Sequence, residues 1–135
     1  MSLLKIEIPK DLQEKAFEAI EIAKKTGKIK KGSNEVTKSV ERGTSKLVIV
    51  AEDSNPIEVV MHLPPLCEEK SIPIVAVSKR EELGAAAGLQ LPTAAVAILT
   101  EGDAKNIISE ITERLKSLKW KWQETPKKKN SSSRN

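Results

Sequence analysis

Aromatic side chains are nearly missing from this chain, which has no tyrosine, one phenylalanine and two tryptophans. A core must therefore be built from Ile, Val, Leu and Ala, and few platforms remain on which single-stranded bases could stack. Cysteine is as scarce: Cys67, alone in an apolar stretch, permits no internal disulfide, which fits a reducing compartment and a small core residue. One histidine and one cysteine cannot assemble a zinc site, so His62, between Met61 and Leu63, reads as structural. No basic-apolar-small leader opens the sequence, and no apolar run approaches the roughly 20 residues that span a bilayer. The expectation is a cytoplasmic protein with no membrane partner.

Catalytic signatures are absent too. There is no phosphate loop, no paired-glycine fingerprint after a strand and no metal-ligand spacing. Acid-base and nucleophilic catalysis have no evident residues, so the expectation is a protein that is not an enzyme and holds neither cofactor nor metal.

What is present is enough for one domain: 135 residues, 39% hydrophobic and 31% charged. The net charge of +4 is matched by Lys127, Lys128, Lys129 and Arg134 in the tail, leaving residues 1–125 neutral in sum. Within that neutral body, residues 28–46 carry Lys28, Lys30, Lys31, Lys38, Arg42 and Lys46 against Glu35 and Glu41. The basic character is a patch, and a patch steers a polyanion to one place.

Periodicity predicts a first helix over 9–25, with Asp11 and Glu14 as a capping box and Gly27 as its stop. Residues 28–31 suit a very short edge strand. The β-branched run 45–51 reads as a strand buried on both faces, as does 72–77, and 94–100 is a third clear strand. Asn55-Pro56-Ile57-Glu58 predicts an N-cap and a helix that Pro64-Pro65 should split, its second piece ending near Lys70. Ser78-Lys79-Arg80-Glu81 predicts another capping box, opening a helix through Gly84 and Gly88 whose small residues suit close packing on the sheet. A last helix is expected from Asp103 to about Trp122, with Trp120 and Trp122 packed on the domain. Alternating strands and helices argue for an α/β layered sandwich with helices on both faces of a small sheet. The domain is expected over 1–122 and a basic disordered tail over 123–135.

The stretch from Gly32 to Gly43 has the most to say about function. Wound as a helix, it places Asn34, Lys38 and Arg42 within about 80° of arc, Glu35 beside them, and Val36 and Val40 on the far side. That face fits an ordinary solvated surface, with its acid and its arginine at the helix ends that suit them. It also fits a recognition surface, because a carboxylate, an amide and two cations together can read donors and acceptors on a base edge. A phosphate binder has no need of Glu35. Ligands in open α/β sheets gather beyond the carboxyl ends of strands, where Asn55 and Lys79 follow two of the buried runs. Lys79 is expected in the first turn of a helix, an unfavourable place for a cation. Leu89-Gln90-Leu91-Pro92 is an apolar loop that could close over an extruded base or plug the core.

The motif from Gly32 to Gly43, with His62-Leu63-Pro64-Pro65-Leu66-Cys67-Glu68 and the turn from Val77 through Lys79 to Gly84, resembles the archaeal ribosomal protein family L-seven-Ae over roughly residues 9–120. The resemblance implies a three-layer α-β-α sandwich with a small mixed sheet of about four strands. It also implies binding of kink-turn RNA, a bent duplex whose bulge adjoins tandem sheared G·A pairs. A sheared pair leaves the guanine Watson-Crick edge open, so a carboxylate can accept from N1 and N2 while an amide or ammonium donates to O6. By that resemblance Asn34, Glu35 and Lys38, in the motif headed by Gly32, would read the guanines, and Arg42 and Lys79 would meet the backbone. Leu89, Gln90 and Leu91 would cover the bulge, and Asn55 and Val59 would touch its flipped-out nucleotide. The family commonly has an acid at the place of Asn55. Implied hosts are the large ribosomal subunit, box C/D and H/ACA guide-RNA particles and ribonuclease P, hence tRNA processing. The partners would be guide RNA, rRNA or ribonuclease P RNA and other ribonucleoprotein subunits, the free protein being a monomer. The competing reading is a structural or protein-interaction ribosomal subunit of the same fold that meets rRNA phosphates without sequence preference.

Overall fold

The structure, a computed structural model, describes residues 9–53 and 57–117. The expectations for Asn55, Trp120, Trp122 and the tail lie outside them. Four strands, β1 (Lys28–Lys31), β2 (Leu47–Ala51), β3 (Ile74–Val77) and β4 (Ala95–Thr100), form one sheet in the order β1-β4-β2-β3. β2 and β3 are parallel, while β4 runs antiparallel to both β1 and β2. Every residue of β2 and β3 is buried, as continuous β-branched runs demand when both faces of a sheet are covered. On one side α1 (Lys10–Thr26) packs with α4 (Arg80–Ala86) and α5 (Lys105–Ser117); on the other α2 (Ser33–Glu41) packs with α3 (Leu63–Lys70). The expected three-layer α-β-α sandwich is the observed one.

The core is aliphatic. α1 buries Leu12, Ala16, Ala19, Ile20 and Ala23, one stripe at helical spacing, against the sheet. Each fully buried Leu or Ile contributes about 1.5 to 3 kcal/mol. Cys67 lies among them, and burial pushes its thiol up to about 12.

Several helix ends differ from expectation, and each has a tertiary cause. The capping box at Asp11 is not formed: α1 starts at Lys10 without a side-chain cap, and Asp11 pairs with Arg114 at 3.2 Å. That guanidinium holds the Asp11 carboxyl below its usual range. Pro64 and Pro65 do not interrupt a helix but stand in the first turn of α3, where amide donors have no intrahelical acceptor. Among the described residues, the segment before them forms a short 3-10 turn, Ile57–Val59. Ser78 caps nothing: α4 starts at Arg80 with Lys79 in the cap position, and Ser78 turns to Gln13, whose Oε1 accepts its amide at 3.1 Å. α4 ends at Ala86. Its Gly84 serves close packing, yet against a loop: a Cβ there would lie 2.2 Å from the Leu91 carbonyl oxygen. The last helix is preceded by a 3-10 turn, Gly102–Ala104, and starts at Lys105.

Candidate nucleic-acid interface

Strand directions decide where the expected site residues meet. β1, β2 and β3 point one way and β4 the other, so the carboxyl ends of the first three share an edge with the start of β4. Three backbone bonds knit the strands together along that edge: Gly32 N–H to Ala95 O at 2.9 Å, Ala51 N–H to Ala94 O at 2.9 Å, and Glu52 N–H to Val77 O at 2.8 Å. From it emerge α2, the segment after β2 that reaches Val59, the turn carrying Lys79, and the loop 89–94. Residues up to about 60 positions apart in sequence thus border one surface, as expected for ligand sites in open α/β sheets.

α2 is built to present one face. Gly32, its cap residue, has φ 94° and ψ 145°, a region essentially reserved for glycine, and opens the helix directly off the sheet edge. Val36 and Val40 are buried beneath it. Between them Ser39, also buried, donates to the Val36 carbonyl at 2.8 Å and meets the Ser45 hydroxyl at 2.8 Å, so the polar atoms under α2 are satisfied. At the far end Gly43 N–H bonds Val40 O and Thr44 N–H bonds Ser39 O, a Schellman closure that its φ of 72° permits. Outward stand Asn34, Glu35, Lys38 and Arg42, all exposed. Glu35 and Lys38 are paired at 3.9 Å, a loose contact about half open to solvent on each side. Acceptor and donor are held near one another without being locked together.

The surroundings are fixed as well. Thr37 Oγ1 donates to the Ser33 carbonyl at 2.7 Å and lies 2.6 Å from His62 Nε2. With the hydroxyl proton given to Ser33, the imidazole nitrogen is the donor. His62, at the cap position of α3 and exposed, thus ties α3 to α2, a bond that no local motif announces. Val59 is 37% exposed on the same segment. Lys79 is exposed at the head of α4, one residue earlier than expected relative to the helix start, and lines a groove of about 680 Å³ between α1 and α4. In the loop, Leu89 packs against the core, whereas Gln90 is exposed and Leu91 is 73% exposed. Leu89 is partly buried and the latter two are the more open of the three. Sequence reading missed Asp53, whose Oδ1 accepts the Arg80 amide at 2.8 Å. No local signal points to it, because Ser78 stands in the sequence as the cap candidate for the same helix.

Among the described residues no group of three His, Cys, Asp or Glu side chains could hold a metal ion, and no helix is long and apolar enough to cross a membrane.

Known proteins share this fold. The model of the Ribosomal protein L7Ae/L30e/S12e/Gadd45 family matches residues 14–108. Among solved structures the chain is similar to the Giardia lamblia 15.5kD RNA binding protein, at 31% identity and a TM-score of 0.82, with 87% of this chain and 98% of that chain covered.

Proposed function

Because the chain belongs to the Ribosomal protein L7Ae/L30e/S12e/Gadd45 family, we propose that it is a non-catalytic RNA-binding protein that recognises kink-turn motifs. It stabilises their bend and nucleates assembly of ribonucleoprotein particles, with guide RNA, rRNA or ribonuclease P RNA as the candidate targets. The observation that carries this reading is an exposed carboxylate amid the cations of residues 28–46, on a helix that leaves the same sheet edge as the apolar loop. A surface made only to neutralise phosphates gains nothing from Glu35, which repels them. A guanine edge freed by a sheared pair needs such an acceptor. In this reading Asn34, Glu35 and Lys38 read the guanines, Arg42 and Lys79 hold the backbone, and Gln90, Leu91 and Val59 close around the bulge. The match to an RNA binding protein of like fold over most of both chains supports it.

The test is a binding titration on a kink-turn RNA and on the same RNA with its G·A pairs replaced by Watson-Crick pairs, each at two salt concentrations. Tight binding that the replacement abolishes, with a modest salt slope, is expected. Equal affinity for both RNAs with a steep salt slope would establish the competing reading, phosphate contacts alone.

A further inference from the structure

The backbone of Arg80 is a junction between three loops of the sheet edge, through its N–H on one side and its carbonyl on the other. Its N–H is bound by the Asp53 carboxylate at 2.8 Å, from the turn after β2. Its carbonyl accepts Thr93 N–H at 3.2 Å, from the end of the loop that carries Gln90 and Leu91. Thr93 is buried, and Ala94 beside it is bonded to the end of β2 through its carbonyl, so the chain returns to where Asp53 departs. Lys79 stands immediately before the junction. The circuit has one bond made by an exposed side chain, that of Asp53. Unlike Glu35, Asp53 is given no base edge to read in the function proposed above, and a carboxylate without one repels the phosphates.

We propose that Asp53 is a positioning residue for RNA recognition: by accepting the Arg80 amide it sets the spacing of the segment after β2, of Lys79 and of the 89–93 loop. The inference rests on the function proposed above. It makes a prediction of unusual sign. Were Asp53 a bystander, removing its negative charge would leave RNA affinity unchanged or raise it. If it positions the loops, Asp53→Ala weakens binding to the kink-turn RNA about tenfold, the scale of one charge-assisted hydrogen bond. Asp53→Asn keeps an oxygen acceptor while losing the charge, so it binds as wild type does or more tightly.

Titrations of the full chain are run at a temperature where thermal unfolding shows each variant folded, and exchange of the Arg80 amide proton is followed by NMR in the free protein. Weak binding and fast Arg80 exchange in Asp53→Ala, both restored in Asp53→Asn, support the proposal. Wild-type affinity in Asp53→Ala overturns it, as does equal weakening in both variants. Should Asp53→Ala not fold, Asp53→Glu is read instead; it keeps the charge on a longer arm and must still weaken binding. If wild type itself does not distinguish the kink-turn RNA from its G·A-replaced counterpart, the proposed function fails and this inference with it, whatever the Arg80 amide does.

Discussion

Glycines mark both ends of the sheet, and for opposite reasons. At the end where β1 begins and β4 finishes, Gly27 and Gly102 leave no room for a side chain: a Cβ on the first would meet the Thr100 carbonyl oxygen at 2.0 Å, and on the second Thr26 Oγ1 at 2.4 Å. Thr26 Oγ1 also accepts the Asp103 amide there at 2.9 Å, a side chain tying the end of α1 to the turn after β4. At the opposite end Gly32 has nothing within 4 Å of its missing Cβ and is required by its φ alone. One end is filled by the chain itself; at the other the Gly32 backbone is bonded to Ala95 and Val36, and it is the charged side chains of α2 that face outward. A candidate site is thus marked by its residue types together with how much of them the fold leaves exposed.

The charged helices repeat the contrast. α1 and α5 bind each other through Lys15–Glu110 at 3.1 Å and Arg114–Asp11 at 3.2 Å, cations matched to acids on a neighbouring element. α2 is equally charged, but its Glu35–Lys38 contact is internal and loose, and Asn34 and Arg42 are exposed beside it.

The largest effect should come at the filled end. Gly27→Ala forces backbone apart and should cost about 1 to 3 kcal/mol or more, read as a lower thermal midpoint, while RNA affinity of the folded protein stays that of wild type. A fall in affinity would mean that the two ends are coupled. At the other end Glu35→Ala should do the reverse, leaving the thermal midpoint nearly unchanged and weakening kink-turn binding by on the order of 1 to 3 kcal/mol with relaxed preference for guanine. Lys79→Ala should weaken binding to kink-turn and G·A-replaced RNA alike and lower the salt slope by about 1, the mark of a phosphate contact. Smallest of all, Arg114→Ala should leave RNA titrations untouched and change stability only slightly. Since Arg114 depresses the Asp11 carboxyl, that contribution is present above the ordinary aspartate range and lost as pH falls through the lowered value. The difference in thermal midpoint between Arg114→Ala and wild type should therefore shrink in acid.

Patterns set by neighbours in sequence were legible before the structure. The buried runs became β2 and β3, the stripe from Leu12 to Ala23 became the buried side of α1, and the polar face opposite Val36 and Val40 is the face exposed on α2. Contacts made across the fold were not. The capping boxes at Asp11 and Ser78 were sound local chemistry, but Arg114 claimed the first acid and Asp53, 27 positions away from Arg80, supplied the second helix with its acceptor. Likewise the Thr37–His62 bond joins residues 25 apart, and nothing in either neighbourhood predicts it. For the candidate site, the residue types on α2 and the place of Lys79 could be read from the sequence. That Leu89 turns inward while Leu91 turns out could not, because loop orientation is set by Gly84 beneath it.

The hydroxyl pair Ser39–Ser45 under α2 carries a consequence beyond satisfying two buried polar atoms. Apolar contacts alone would let a nine-residue helix roll on its bed, since Val against an aliphatic sheet is forgiving of angle. A directional bond to Ser45, in the connection that leads into β2, is not. One residue of slip would turn the helix by about 100° and swing the Glu35 carboxylate from the open edge toward the core or away from the loop. The angular phase of the reading face is therefore set from behind, by two small hydroxyls that no RNA would touch.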